Sequence, residues 1–399
     1  MKKIIITALV FGVFAWGDVR AQAVDAAIGQ VLRSVEENNA ALAARRKLAD
    51  AQTLEARTGN SLENPEVEFG YKWGDPSSLG KAGEVAVSQA FDFPSTYVYR
   101  NRMARSLAEQ YGHEYAAYRQ ELLLEAQSLC LEIIALRQQG DLLRKALANA
   151  QGVADIMTRR EEAGDANILE ANKARFELVG AKNAYKLNEI ELVAAENRLA
   201  NLNGGNPVAF TVGEFPARPF LAAREEMAGR YEETSPELLA LLSGKSAADN
   251  DVHVSRSLSL PKFSAGYKHE YTPGGNDKFN GITVGMSIPM FGNRNNVKRA
   301  KAQAMFAESQ YRSGLTDMRS NLAELYAKAG LLAASLDDYR RITEHARSVE
   351  LLNKAIEAGQ ISIVDYFAEL APVYDAWLTM IEVERDYHLA CARIMMIDL

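Results

Sequence analysis

The most constraining feature of this sequence is a helical pattern that is far longer than a compact domain can accommodate. From about Tyr97 to Ala163 the chain contains no proline. Apolar or small residues recur there at spacings of three and four, as in Leu122, Ala126, Leu129, Ile133 and Leu136. This heptad spacing predicts a helix that keeps one face against a partner along its length. At 1.5 Å per residue such a helix measures roughly 100 Å.

The same pattern returns later in the chain, between Val297 and Glu357. Shorter helical patterns cover Val24 to Gly59, Ala166 to Asn203 and a final segment that begins at Ile363. Pro372 lies inside the final segment, where we expect it to kink the helix or to mark a local irregularity. The bulk of the chain is therefore predicted to be long α-helices packed as coiled coils.

Two regions replace the helical period with strict alternation, which is typical of β-strands. Pro65 to Trp73 and Glu84 to Phe93 predict a first hairpin, and Lys262 to Tyr271 with Ile282 to Ile288 predict a second. On one face we expect the large apolar residues Val67, Phe69, Tyr71, Trp73, Val85, Val87, Phe263, Tyr267, Val284 and Met286. On the other face we expect the charged residues Glu66, Glu68, Lys72, Glu84, Lys262 and Lys268.

The chain also repeats itself. Pro65, Gly70, Tyr71 and Lys72 recur at one constant offset as Pro261, Gly266, Tyr267 and Lys268. The corner between two helices repeats as well, because a Glu-Ala-Gly triplet precedes a polar helix start both at Gly164 and at Gly359. The predicted organisation is a first helix–hairpin–helix–helix repeat over residues 22–203, a Gly- and Pro-rich linker over 204–219, and a second repeat over 220–399.

Residues 1–21 have the pattern of a secretory signal peptide. Lys2 and Lys3 form a basic start, an apolar stretch runs from Ile4 to Trp16, and small residues precede a cleavage site before Gln22. We therefore exclude this segment from the fold and expect the protein to be exported.

Composition narrows the function. The 45 basic and 52 acidic residues give a formal net charge of −7, which argues against nucleic acid as a partner. Cys130 and Cys391 are too few for a disulfide scaffold or a four-thiolate zinc site. We interpret both as small buried residues; a single bridge between them stays open.

Two interpretations of the hairpins follow from the pattern alone. The four strands could cap a soluble coiled coil, or they could cross a bilayer with the apolar face towards lipid. A tilted membrane strand needs about 9–11 residues, and four strands cannot close a barrel because free edges are not tolerated in lipid. The membrane interpretation therefore requires several copies of the chain.

Taken together, these motifs resemble the TolC family of outer membrane efflux proteins. The resemblance rests on the signal peptide, the duplication, Asn64-Pro65 at the first strand, the strand ends Ser88-Gln89-Ala90-Phe91 and Ser287-Ile288-Pro289-Met290, and the two Glu-Ala-Gly corners. It spans essentially the whole mature chain. The length and the absence of a lipid-anchor cysteine resemble most the CzcC-like heavy-metal efflux branch.

The resemblance implies a mainly α fold with a membrane β-barrel. Three chains would contribute four strands each to one 12-stranded barrel in the outer membrane, with the charged strand face lining its lumen. The helices would form a coiled-coil periplasmic tunnel. A periplasmic adaptor protein and an inner-membrane transporter, of the RND type, would complete a tripartite pump for metal cations or small toxic compounds.

The resemblance also assigns roles to particular residues. The adaptor would dock at the corners, which contain Gly164, Asp165, Asn167, Gly359, Gln360 and Ser362. Asp365 matches an acidic position that narrows the periplasmic end of the tunnel in this family. A second acidic position falls on Ala368 here, with Glu369 beside it. An exposed aspartate favoured by the helix dipole is the competing interpretation of Asp365.

The sequence offers nothing for catalysis. The five histidines are scattered, no glycine-rich phosphate loop is present, and no nucleophile stands beside a histidine base. We therefore expect no enzyme activity, no cofactor and no metal site.

A duct for type I protein secretion is a related alternative to the efflux duct. A periplasmic adaptor would instead show one helical hairpin flanked by compact β domains, and a soluble structural coiled coil is a third alternative.

Overall fold

The fold is known from a computed structural model of the chain. It describes residues 23–291, 293–343 and 348–399, so the predicted signal peptide lies outside the described residues. Within them the protein is mainly helical and contains one four-stranded antiparallel sheet.

The elements follow one another in the order helix, hairpin, helices, hairpin, helices. The helices are α1 (residues 23–38), α2 (Ala40–Thr58), α3 (Pro94–Ala163), α4 (Ile168–Leu202), α5 (Arg224–Thr234), α6 (Pro236–Ser257), α7 (Asn296–Thr343), α8 (Ser348–Glu357) and α9 (Ile363–Ile394). The strands are β1 (Glu66–Trp73), β2 (Lys81–Phe91), β3 (Lys262–Tyr271) and β4 (Lys278–Ser287). Short 3₁₀ turns cover Ser77–Leu79 and Met396–Asp398.

The long helix predicted from the heptad pattern is confirmed, since α3 has 70 residues. The first predicted helix is divided at Asn39, whose side-chain oxygen accepts a hydrogen bond from the Leu42 backbone N–H at 2.8 Å. The Asn39 amide also donates to the Leu202 carbonyl at 2.8 Å. This one side chain therefore caps α2 and contacts the end of α4. The final helix, α9, contains Pro372 and continues to Ile394.

The two hairpins form one sheet with the strand order β1-β2-β3-β4. All neighbouring strands are antiparallel, and β2 pairs with β3 from Gly83–Tyr271 to Phe91–Phe263. Phe91 and Phe263 stack across this joint with ring centroids 6.0 Å apart. Strand pairing therefore unites segments that lie almost two hundred residues apart in the sequence.

The described chain divides into two compact units, and each takes segments from both sequence repeats. One unit contains residues 118–229, 319–399 and the segment up to residue 43; the other contains residues 44–117 and 230–318 and includes the sheet. In the first unit a buried cluster of Val153, Met157, Ile356, Ile363 and Phe367 joins α3, α8 and α9.

The linker between the repeats, residues 204–219, is held by side chains of the first unit. The Arg137 guanidinium donates to the Val212 carbonyl at 3.0 Å. The Phe215 ring stacks on the imidazole of His388 at 5.3 Å, with only 8° between the planes. The linker is thus an ordered part of this unit.

Cys130 and Cys391 are free and buried, which confirms that they behave as small core residues. Burial raises the pKa of the Cys130 thiol to about 12. An unreactive thiol of this kind has a packing role.

Among the described helices, none combines the length and the apolar character that a membrane-spanning helix requires.

Candidate functional site

The strand register separates the predicted residues onto the two faces of the sheet. Residues that lie opposite one another in neighbouring strands share a face, and side chains alternate along each strand. Val67 lies opposite Val87, Val87 opposite Tyr267, and Tyr267 opposite Ile282. All ten residues predicted for the apolar face lie on this side. The six predicted charged residues lie on the other side.

The apolar face is exposed in the single chain. The exposed fractions are 67% for Phe69, 76% for Trp73 and 80% for Val284. Ile282, on the same face, is also exposed, as is Phe279, which lies on the charged face and was not predicted. An apolar surface of this extent normally marks contact with a partner or with a membrane.

The charged face carries a chain of ion pairs. The Glu84 carboxylate lies 3.1 Å from the Lys72 ammonium and 2.8 Å from that of Lys268. Lys268 also lies 2.9 Å from Glu270. Glu66 and Glu68 form no ion pair among the described residues, so they are the uncompensated carboxylates of this face.

Lys262 occupies a different environment at the end of the sheet next to the helices. Its ammonium lies 3.2 Å from Glu63 and 3.1 Å from Asp92. The Asp92 side chain is only 4% exposed and also pairs with Arg100 at 2.9 Å. Sequence analysis missed Asp92 and Arg100, because neither follows a strand or heptad pattern and the Lys262 partner of Asp92 is distant in the sequence.

Both predicted corners have the same local structure. Gly164 and Gly359 have φ angles of +81° and +69°, a conformation that glycine adopts without strain. After each glycine the backbone N–H of the next residue reaches back to close a Schellman turn, Asp165 to the Arg160 carbonyl and Gln360 to the Ala355 carbonyl, both at 2.8 Å. The sequence repeat therefore reflects a repeated helix ending.

The helices after the corners begin with side-chain caps. Asn167 and Glu170 form a capping box, with hydrogen bonds of 3.1 Å and 2.9 Å. The Ser362 hydroxyl accepts from the Asp365 backbone N–H at 3.1 Å and donates to the Asp365 carboxylate at 2.7 Å. Asp365 therefore has a local role at the helix start. Asp365 and Glu369 are both exposed and lie one turn apart.

Two side chains tie the corner regions together, and sequence analysis identified neither. Arg160, at the end of α3, donates to the carbonyls of Ile356 and Glu357 at 3.3 Å and 3.1 Å. Tyr366 is 0% exposed; its hydroxyl accepts from Asn149 and donates to Asn353, both at 2.6 Å. Its burial raises the pKa of this phenol. These polar contacts link α3 to α8 and α9 inside the buried cluster.

The described residues contain no group of three or more His, Cys, Asp or Glu side chains arranged to hold a metal ion. Of the predicted charged residues, Lys72, Glu84, Lys262 and Lys268 form ion pairs, and Asp365 takes part in a helix cap.

This helical chain with its amphipathic four-stranded sheet is similar to known outer membrane proteins. Residues 229–397 match the family model described as outer membrane efflux protein. The chain is 22% identical to the outer membrane protein TolC of Vibrio cholerae over 313 residues, which is 73% of this chain and 70% of that protein.

Two further relatives extend the comparison. The chain is 28% identical to the pyoverdine export outer membrane protein OpmQ of Pseudomonas aeruginosa over 223 residues, 53% of this chain and 46% of OpmQ. The crystal structure of the outer membrane protein VceC of Vibrio cholerae superposes with a TM-score of 0.78, covering 93% of this chain and 96% of that one at 15% identity.

These matches confirm the resemblance to the TolC family of outer membrane efflux proteins, and residues 229–397 match the family model. They also confirm the mainly helical fold with four strands, and the prediction that the chain is not an enzyme. No match singles out the CzcC-like branch.

Proposed function

We propose that three copies of this chain form an exit duct through the outer membrane for a tripartite efflux pump. The observation that carries the proposal is the four-stranded sheet, which has an exposed apolar face, a charged face and two free edges. Each copy supplies four strands to a 12-stranded barrel, with the charged face lining the lumen.

The free edges favour this proposal over a cap on a soluble coiled coil. β1 and β4 end the sheet, and among the described residues neither has a strand partner on its outer side. Unpaired edges are costly in lipid and promote aggregation in water. Pairing β4 of one copy with β1 of the next satisfies both edges and closes the cylinder.

Strand length agrees with a bilayer. The strands have 8, 11, 10 and 10 residues. A tilted strand needs about 9–11 residues to cross the hydrocarbon core. The hairpin loops then lie at the outer surface, and the helices extend from the inner surface into the periplasm.

The cargo is metal cations or small toxic compounds, passed from an inner-membrane transporter through an adaptor. The family description and the export role in the name of OpmQ support efflux. A duct for type I protein secretion is the second candidate. A periplasmic adaptor is disfavoured, because the described residues hold one shared sheet instead of compact β domains flanking a single hairpin.

Conductance across a planar lipid bilayer tests the proposed duct directly. Purified protein added to a planar lipid bilayer should produce discrete conductance steps of uniform size, because a closed barrel has one fixed lumen. A bilayer that stays silent, while the same preparation is folded by circular dichroism, contradicts a channel.

Replacing Gly164 should weaken adaptor binding, if the corners are the docking surface. Gly164→Gln places a side chain in open space at a positive φ of +81°, and we expect at least a tenfold loss of affinity for the adaptor. Gly205→Gln is the matched control, because Gly205 has a φ of +85° and equally open space but lies in the linker. Equal loss in both variants contradicts docking at the corner.

Asp365 should attract cations if three copies converge at the periplasmic end. Asp365→Asn retains an acceptor for the Ser362 hydroxyl but removes the charge, so block of the conductance by divalent cations should weaken several-fold. Asp365→Glu should preserve the block. Unchanged block in Asp365→Asn leaves Asp365 with its capping role alone.

A further inference from the structure

The apolar face of the sheet changes character near the hairpin loops. Towards the helices it carries Val67, Phe91, Phe263 and Met286. At the loop end the same face carries two lysines among aromatic rings. We call this group, consisting of Trp73, Lys81, Tyr271 and Lys278, the loop-end belt.

The register fixes the geometry of the loop-end belt. Lys81 lies opposite Trp73, and Lys278 lies opposite Tyr271. Tyr271 lies between Lys278 in β4 and Gly83 in β2. The Tyr271 ring occupies the space that a Cβ on Gly83 would fill. The ring therefore leans across β2, on the side of the sheet where Lys81 projects.

The two lysines are the only ammonium groups of this face, and they lack acidic partners. None of the residues that the register places here is Asp or Glu, and both lysines are exposed. Neither forms an ion pair among the described residues. By contrast, Lys72, Lys262 and Lys268 on the opposite face all have carboxylates within 3.2 Å.

A polar contact marks where the apolar part of the face ends. The Asn280 side-chain oxygen accepts from the Tyr267 hydroxyl at 2.7 Å and lies 2.7 Å from Nδ1 of His269. His269 and Asn280 lie between Ile282 and the loop-end belt, and Tyr267 lies opposite Ile282. Along β3 and β4 the order is therefore apolar, then polar, then aromatic and cationic, which matches the passage from the hydrocarbon to the headgroup region of a bilayer.

We propose that the loop-end belt binds the phosphate groups of a phosphorylated glycolipid in the outer leaflet. This rests on the proposed barrel, which turns the face towards lipid. The two lysines lie two strands and two residues apart, so their Cα atoms are separated by about 12 Å. Each ammonium can therefore reach a separate phosphate, while the aromatic rings lie at the level of the headgroups.

The test measures the affinity of the purified full-length protein, in detergent, for two lipids. The probes are lipid A, which carries two phosphates, and the same lipid after enzymatic removal of both. We expect the wild type to bind lipid A about tenfold more tightly, since each interfacial lysine attracts an anionic headgroup. The Lys81→Gln/Lys278→Gln double variant should lose that preference, and Lys72→Gln, on the opposite face, should keep it.

The outcomes separate this inference from the proposed duct. A wild type that conducts in bilayers but binds both lipids equally overturns the inference and leaves the duct intact. An equal loss of the preference for lipid A in Lys72→Gln and in the double variant also overturns the inference. A protein that neither inserts nor conducts overturns the duct, and the lipid site with it.

Discussion

Val284→Arg should destabilise the folded protein in lipid vesicles by about 2–4 kcal/mol per chain, which is the cost of an arginine at the lipid-facing surface near the bilayer centre. Val284 lies in β4 on the apolar face and is 80% exposed in the single chain. Because most of its side chain is exposed, the substitution removes little packing, and most of the penalty arises from lipid. Urea titration of the vesicle-reconstituted protein, followed by tryptophan fluorescence, measures the free energy of unfolding.

Thr283→Arg is a closely matched control. Thr283 is the preceding residue, has nearly the same shape as valine, is exposed and faces the charged side of the sheet. We expect less than about 1 kcal/mol of destabilisation there, because the new charge meets water. If the apolar face were in contact with water, the two variants would be equally stable, and that result contradicts a lipid-facing sheet.

Acidification should destabilise the helical unit that contains His388, and this one residue should account for about 3 kcal/mol. His388 is 4% exposed, and its Nε2 has no hydrogen-bond partner in the part of the chain that the structure describes. Burial, followed by the positive charges of Arg218 and Arg340, lowers the pKa of His388 from 6.5 to about 4. A shift of this size corresponds to about 3 kcal/mol.

The direction in which stability changes with pH follows from proton binding. Between pH 6.5 and 4 the unfolded chain binds a proton at His388 and the folded chain does not, so stability is complete above pH 6.5 and declines as the pH falls. His388→Phe preserves the stack on Phe215 and should flatten this part of the curve. The control is His253→Phe, since the exposed His253 also stacks on a ring, that of Tyr99 at 4.9 Å. Identical slopes in His388→Phe and wild type contradict the assignment.

The local features of this fold were predictable because short sequence patterns determine them. Alternation placed Val67 and Glu68 on opposite faces of a strand, and the structure agrees. The glycines at 164 and 359 predicted helix ends, and both form left-handed turns. The length of α3 followed from a heptad pattern without proline.

Most of the contacts that sequence analysis missed join segments that are distant in the sequence. Asp92 looks like an ordinary loop residue until Arg100 and Lys262 are brought beside it, and the Lys262 partner is 170 residues away. Lys262 was predicted only as a residue of the charged face, but the fold pairs it with this buried carboxylate. Tyr366 was not among the predicted residues, and its hydroxyl connects Asn149 and Asn353. Such polar links depend on how helices are arranged, which periodicity does not encode.

The roles of the corners and of Asp365 remain predictions for a different reason. A Schellman turn with a side-chain cap is stable without any partner, so its presence explains the sequence of the corner without requiring an adaptor. Likewise, the hydrogen bond between Ser362 and Asp365 accounts for that carboxylate within one chain. Only measurements on the assembled duct can assign these residues a further role.

We propose that copies of the same chain complete the exposed sheet, and the mass of the complex extracted from membranes measures how many copies assemble. Native mass spectrometry of protein extracted from membranes in mild detergent should give three chains per particle, and without detergent the protein should aggregate. A monodisperse, water-soluble monomer that needs no detergent would contradict the account.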